Sequence, residues 1–138
     1  MLKSLYKVDK VTGVKNSFKG YYDKTFVDLN EKNVETIHHN GGCFLSQSRA
    51  DLNVGKVIES LIQRKVNQLY LIGANNTMKA CQALHGEIKR RKLSIAVCVL
   101  LKGINHDIPI FDSCFGFETA VEESSKVIEK AYAYSHSH

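Results

Sequence analysis

Two short apolar runs, residues 68–72 (QLYLI) and 94–101 (SIAVCVLL), alternate with segments whose apolar residues repeat at helical spacing, and that alternation leaves the chain few folds. Ahead of the first run, Val54, Val57, Ile58, Leu61 and Ile62 trace the i, i+3, i+4, i+7, i+8 stripe of an amphipathic helix. The run 68–72 reads as a buried strand, and a loop of Gly73, Ala74, Asn75 and Asn76 then opens a helix expected from Thr77, with Met78, Cys81, Leu84 and Ile88 on one side. The run 94–101 is continuous and, after Ser94, apolar, which predicts a strand covered on both faces. A loop carrying the only proline, Pro109, leads to a last helix expected to face Ala120, Val121, Ser124, Val127, Ile128 and Ala131 inward. Strands alternating with helices imply a parallel sheet wrapped by helices, in which ligands bind at the carboxyl ends of the strands. The loops to interrogate are therefore residues 73–77 and 102–109.

The first third of the chain is less regular. Short β-type runs at residues 11–14 and 26–29 flank turn signals at Asn16-Ser17 and Lys19-Gly20. Asn33 is expected to cap a short helix running to His39, which Asn40-Gly41-Gly42 then stops. With 138 residues, 43% hydrophobic content, no internal repeat and no Gly/Ser linker, the expectation is one domain with one core.

Composition removes several function classes. No apolar run approaches the roughly 20 residues of a membrane span, and the start MLKSLYKVDK lacks the apolar stretch of a signal peptide, so the expected location is cytoplasmic. Cys43, Cys81, Cys98 and Cys114 show no C-x-x-C spacing and read as free structural thiols. His38, His39, His136 and His138 have no cysteine or acidic partner at zinc spacing, and His85 reads as a packed or surface histidine. The net charge of +5 raises nucleic acid as a partner, but the one basic cluster, Lys89-Arg90-Arg91-Lys92, fits cations in a helix's last turn, and no aromatic residues interleave with the positive charges.

Four segments carry a family resemblance: Gly41-Gly42-Cys43-Phe44-Leu45-Ser46-Gln47-Ser48-Arg49, the loop from Gly73 to Thr77, the loop from Lys102 to Pro109, and Phe115-Gly116-Phe117-Glu118-Thr119-Ala120-Val121-Glu122. Their order and spacing resemble the ATP-dependent 6-phosphofructokinases, most closely the plant type, whose motifs read GG-x-x-LG-[ST]-[SA]-R, IGGDGT, PKTIDNDIP and FGFDTAVEE. The match runs from Val11 to about Ala131 and is best over residues 41–131. The resemblance implies an α/β fold with a partial three-layer parallel sheet of Rossmann-like form, the N-terminal ATP-binding lobe of the phosphofructokinase fold. It also implies ATP, Mg²⁺ and fructose 6-phosphate as ligands, and assembly with copies of itself or with an intact phosphofructokinase.

Residue by residue, the resemblance assigns nucleotide binding to Gly73, Ala74, Asn75, Asn76 and Thr77 together with Arg49, and sugar binding to Gly103, Ile104 and Asn105. In the family the first loop lets backbone amides approach ATP phosphates while its carboxylate holds Mg²⁺. Here Ala74 adds a methyl group, and Asn75 offers a neutral amide at the position of the metal ligand. Asn76 stands where glycine accompanies ATP and aspartate accompanies pyrophosphate, which leaves the phosphoryl donor open. In the second loop TIDND has become Gly103-Ile104-Asn105-His106-Asp107, so Asn105 takes the place of the general base while Asp107 is kept. An amide cannot accept the hydroxyl proton, and loss of a general base costs roughly 10²–10⁴-fold in rate. His106 is displaced by one residue from the base position. Arg49 matches the arginine that reaches the transferring phosphoryl group.

The family's glycine-rich GGDxPGxN segment has no counterpart before Lys10, and the sugar-phosphate lobe expected beyond Ala131 has none either; Arg64, Arg90 and Arg91 are expected on outer helix positions. The expectation is a single incomplete domain, impaired in phosphoryl transfer when alone. Three readings stay open: a kinase lobe completed by a second polypeptide, a non-catalytic subunit that docks to an intact phosphofructokinase, and the inactive product of a truncated gene copy.

Overall fold

The computed structural model describes residues 2–107 and 111–137, so the expectations placed on Pro109 and His138 lie outside the described residues. The chain forms two compact units that meet in sequence between Val66 and Asn67.

In the first unit β1 (Thr12–Val14) and β2 (Phe26–Asp28) pair antiparallel, with Gly13 opposite Val27. Their connection contains the short helix α1 (Lys19–Tyr22) and enters it through Asn16 and Ser17, both at positive φ, as turn chemistry at those positions predicts. The cap of α2 (Glu31–Val34) corrects the sequence expectation: Asn30, not Asn33, is the N-cap. Asn30 has the extended backbone a cap requires, and its side chain accepts a hydrogen bond from the Asn33 N–H at 2.8 Å. The helix ends at Val34, and Ile37–His39 form a separate 3-10 turn instead of continuing it.

Helix α3 (Val54–Gln63) forms where the stripe predicts, capped by Asn53, whose side chain accepts from the Lys56 N–H at 3.0 Å. It buries Val57, Ile58 and Leu61 and leaves Ile62 exposed. The Tyr22 hydroxyl donates to the Asp51 carbonyl and accepts from the Asn53 N–H, both at 2.7 Å, pinning α1 to the start of α3. Its neighbour Tyr21 is buried, and that burial pushes its phenol pKa up to about 12. The Arg64 guanidinium at the end of α3 lies over the Phe26 ring, 3.3 Å from its centroid.

The second unit runs β3 (Gln68–Gly73), α4 (Asn75–Arg90), β4 (Ala96–Leu101) and α5 (Phe117–Ser135). Strands β3 and β4 are parallel, in register from Gln68 opposite Ala96 to Gly73 opposite Leu101, and α4 is the crossover between them. Such a β-α-β unit is what the alternating pattern implies. Leu69 and Leu71 of β3, Leu101 of β4, and Ala80, Leu84 and Ile88 of α4 are buried.

Several expectations need correcting here. Helix α4 begins at Asn75, two residues earlier than expected, with Ala74 as N-cap. The two strands are not covered on both faces: Tyr70, Ile72 and Leu100 are exposed, as is Cys98, while the alternate residues pack. No residue of α5 is buried, so the inward face expected for Val121, Val127 and Ile128 is open. The apolar pattern marks surface able to pack and is silent about what covers it. All four cysteines are free, but Cys43 and Cys98 are exposed rather than packed. Among the described residues no helix is long and apolar enough to cross a membrane.

Candidate functional site

The carboxyl ends of β3 and β4 lie side by side, so the loops that leave them are brought together by the strand register alone. Gly73 closes β3, and its carbonyl accepts from the Lys102 N–H at 3.0 Å, extending the sheet one residue past β4. Beyond that, Lys102 bridges to Phe115 in parallel sense; the Gly103 N–H donates to the Phe115 carbonyl at 2.9 Å and the Phe115 N–H to the Leu101 carbonyl at 3.2 Å. The second loop therefore starts between two neighbouring backbones.

Gly73 also governs how tightly the first loop turns into α4. A Cβ on Gly73 would collide with the Thr77 hydroxyl and approach its Cβ at 3.1 Å, so the strand end and the first helical turn fit together only without a side chain there. Ala74 has no side-chain oxygen to cap α4, which leaves first-turn N–H groups of the helix for water or a ligand's oxygen. Asn75 and Asn76 follow, both exposed.

Across from them, Ala74, Leu101, Gly103 and Asn105 line a small cavity, completed by His106, Asp107, Phe111 and Cys114. Beside the backbone bond from Lys102 to Gly73, a side-chain bond joins the two loops: the Asn75 side-chain Nδ2 donates to Asp107 Oδ2 at 2.7 Å. Asn105 is exposed at the cavity, and Ile104 is exposed beside it. His106 adopts a positive φ of 45°, and its ring stacks on Phe117, centroid to centroid 5.3 Å. At the start of α5, Gly116 sits at φ 104°, a conformation that glycine adopts freely, and its place against the Gly103 carbonyl leaves a Cβ only 3.3 Å of clearance.

The structure thus gathers Ala74, Asn105 and Asp107 around one cavity, with Gly73, Asn75, Asn76 and Thr77 at its strand-end border. Arg49 belongs to the first unit, where it is exposed. Sequence reasoning did not single out Cys114 or Phe111 as cavity residues. Cys114 Sγ lies 3.6 Å from the Gly103 carbonyl, and its place in sequence just before the FGF segment is the signal that points to it.

At the far end of α4, Glu87 binds Arg90 through two hydrogen bonds of 2.6 and 2.7 Å and Arg91 through one of 2.5 Å. Those bonds, with the nearby positive charges, hold the Glu87 carboxyl at about 2 against an ordinary 4.5. Half of the basic cluster is therefore engaged within the helix itself. On the same helix, burial followed by the proximity of Cys98 raises the pKa of the Cys81 thiol.

The residues present do not fit a resident Mg²⁺. Magnesium takes anionic oxygens in octahedral array, whereas Asn75 offers a neutral amide and turns its nitrogen to Asp107.

A β-α-β unit with a cavity at its strand ends places the second unit in the parallel α/β class. Its fold matches that of a pyrophosphate-dependent phosphofructokinase from Marinobacter aquaeolei with a TM-score of 0.74, covering 83% of this chain and 30% of that one; at 18% identity the likeness speaks to fold alone. The family model described as "Phosphofructokinase" matches residues 1–138, and the chain belongs to that family. It is similar to ATP-dependent 6-phosphofructokinase 1 of Arabidopsis thaliana, 39% identical over 95% of this chain and 28% of that protein. ATP-dependent 6-phosphofructokinase 7 of the same plant is 37% identical over 99% of this chain and 28% of its own. The ATP-dependent 6-phosphofructokinase of Trypanoplasma borreli is 36% identical over 96% and 28%. The chain spans under a third of the length of these relatives.

Proposed function

We infer that this chain is one incomplete domain of a 6-phosphofructokinase, the lobe that in its relatives would handle ATP, and that alone it is impaired in transferring a phosphoryl group from ATP to fructose 6-phosphate. The observation that carries this is the pairing of Asn75 with Asp107: the amide at the metal-ligand position donates to the one carboxylate kept from the second motif. Phosphoryl transfer depends on positioning and on charge stabilisation, with little covalent chemistry for the protein to do. Asn105, exposed at the cavity, has the shape of a carboxylate but cannot take a hydroxyl proton. Gly73, Ala74, Asn76 and Thr77 still frame a helix N-terminus suited to phosphate oxygens, and Arg49 keeps the charge of its motif. Mg²⁺ enters this reading only as a ligand of bound nucleotide, since the loop offers it no carboxylate at position 75.

A second reading is favoured by the selective character of the changes. Amides occupy positions 75 and 105, while residues 41–49 and 115–122 stay near the family pattern. That suits a non-catalytic partner that associates with an intact phosphofructokinase in the cytoplasm. The test is a coupled assay of the purified chain for fructose 1,6-bisphosphate, with and without a full-length relative, alongside co-purification of the two. No turnover alone and a soluble stoichiometric complex fit the partner reading, and turnover by the lone chain overturns both.

A further inference from the structure

Asn75 and Asp107 stand 32 positions apart in sequence, on the loops that leave two neighbouring parallel strands, and their side chains meet at 2.7 Å. Only one member of the pair has a hydrogen to donate. A carboxylate in place of Asn75 would set oxygen against oxygen at that separation, an arrangement two anions accept only around a shared proton or a cation. The amide removes that requirement. Its nitrogen supplies the positive end that an ion would otherwise supply, and it spans the gap between the loops in one bond.

We propose that Asn75 is a built-in substitute for a divalent cation, tying the loop after β3 to the loop after β4 so that this end of the sheet is organised without metal. The proposal rests on the reading above that position 75 has ceased to be a metal ligand, and it goes further: the amide bond holds the two loops together as a shared ion would. Local geometry agrees. His106, next to Asp107, is held by its ring stacking on Phe117, and the Lys102 N–H bond to the Gly73 carbonyl fixes the bases of the two loops. Both side chains of the pair are exposed, so a cation in solution has access to either of them.

The test is thermal unfolding of the full chain in chelator-treated buffer, titrated with MgCl₂ or MnCl₂ at ionic strength held constant with NaCl. The Tm of the wild type should move by no more than about 1 °C across the titration. Asn75→Asp should lose about 2–5 °C without cation and regain it along a saturable curve. Asn75→Ala should fall and stay fallen. The exchanged pair, Asn75→Asp with Asp107→Asn, places the donor on the other loop and should recover wild-type stability with no cation present. A saturable rise in the wild-type Tm overturns the proposal, as does an Asn75→Asp variant that neither loses stability nor responds. If Asn75→Asp does not fold, the exchanged pair decides: folding without cation supports the substitution of bond for ion, and failure to fold refutes it. Calorimetry with Mg·ATP separates this proposal from the reading beneath it. No nucleotide binding together with a cation-blind Asn75→Asp variant sinks the substitution alone, whereas Mg²⁺-dependent nucleotide binding at the wild-type loop sinks the reading of position 75.

Discussion

Replacing Gly73 by alanine should destabilise the second unit through one contact. Among the described residues the glycines at positive φ are Gly41, Gly42 and Gly116, so the Gly73 backbone itself suits alanine. The added methyl group would instead run into the Thr77 hydroxyl and lie 3.1 Å from the Thr77 Cβ. Thr77 is half-buried in the first turn of α4 and is anchored there by its own N–H bond to the Ala74 carbonyl at 2.8 Å, so it cannot retreat without shifting the helix start. Overpacking of this kind costs about 1–3 kcal/mol. Thr77→Ala alone should change stability by no more than about 0.5 kcal/mol, because alanine is the better helix former. The double variant should return close to wild type, a coupling of about 1–3 kcal/mol between two positions in contact. Urea unfolding followed by circular dichroism would read the single Gly73→Ala change as a midpoint lower by about 1 M. A Gly73→Ala protein as stable as wild type, or a double variant showing the plain sum of the single losses, would refute the fit of strand end to helix start.

Two further outcomes follow from the same unit. The folded-state pKa of Glu87, about 2, lies below its ordinary 4.5, so its bonds to Arg90 and Arg91 contribute stability that is present above pH 4.5 and lost as pH falls through about 2. Comparing Tm against pH, Glu87→Gln should lie below wild type at neutral pH and converge with it in that acid window; parallel curves would show that the pairs contribute nothing. Restoring both acids, Asn75→Asp with Asn105→Asp, should yield no fructose 1,6-bisphosphate from the purified chain in a coupled assay, because two carboxylates add no positive charge to hold a sugar phosphate. Measurable product from that variant would show the remaining machinery to be sufficient.

Much of the chain from α3 onward was legible because its elements are written in two distinct periods. The stripe of α3, the crossover helix α4 and the two apolar runs each formed, and the parallel pairing of β3 with β4 follows from placing a helix between them. Burial was not legible. Val127 and Ile128 carry a good helical stripe yet are 64% and 67% exposed, because amphipathicity is a property of one element and cover is a property of two. The cap of α2 was misplaced by three residues for a related reason: Asn30 and Asn33 are both good caps, and only the extended backbone at Asn30 selects between them. At the site, the positions of Asn75, Asn105 and Asp107 at strand ends could be read from motif and pattern. Their chemistry could not be read in full, since a side-chain bond between residues far apart in sequence depends on register, loop turn and rotamer together.

If the amide of Asn75 fills the place where a metal-binding acid would receive a nucleotide, the chain should not take up Mg·ATP tightly. Isothermal titration of the purified chain with Mg·ATP measures this. The heats should be weak, should not saturate in the micromolar range and should be unchanged when Mg²⁺ is replaced by chelator. Micromolar affinity that disappears on removal of Mg²⁺ would contradict it.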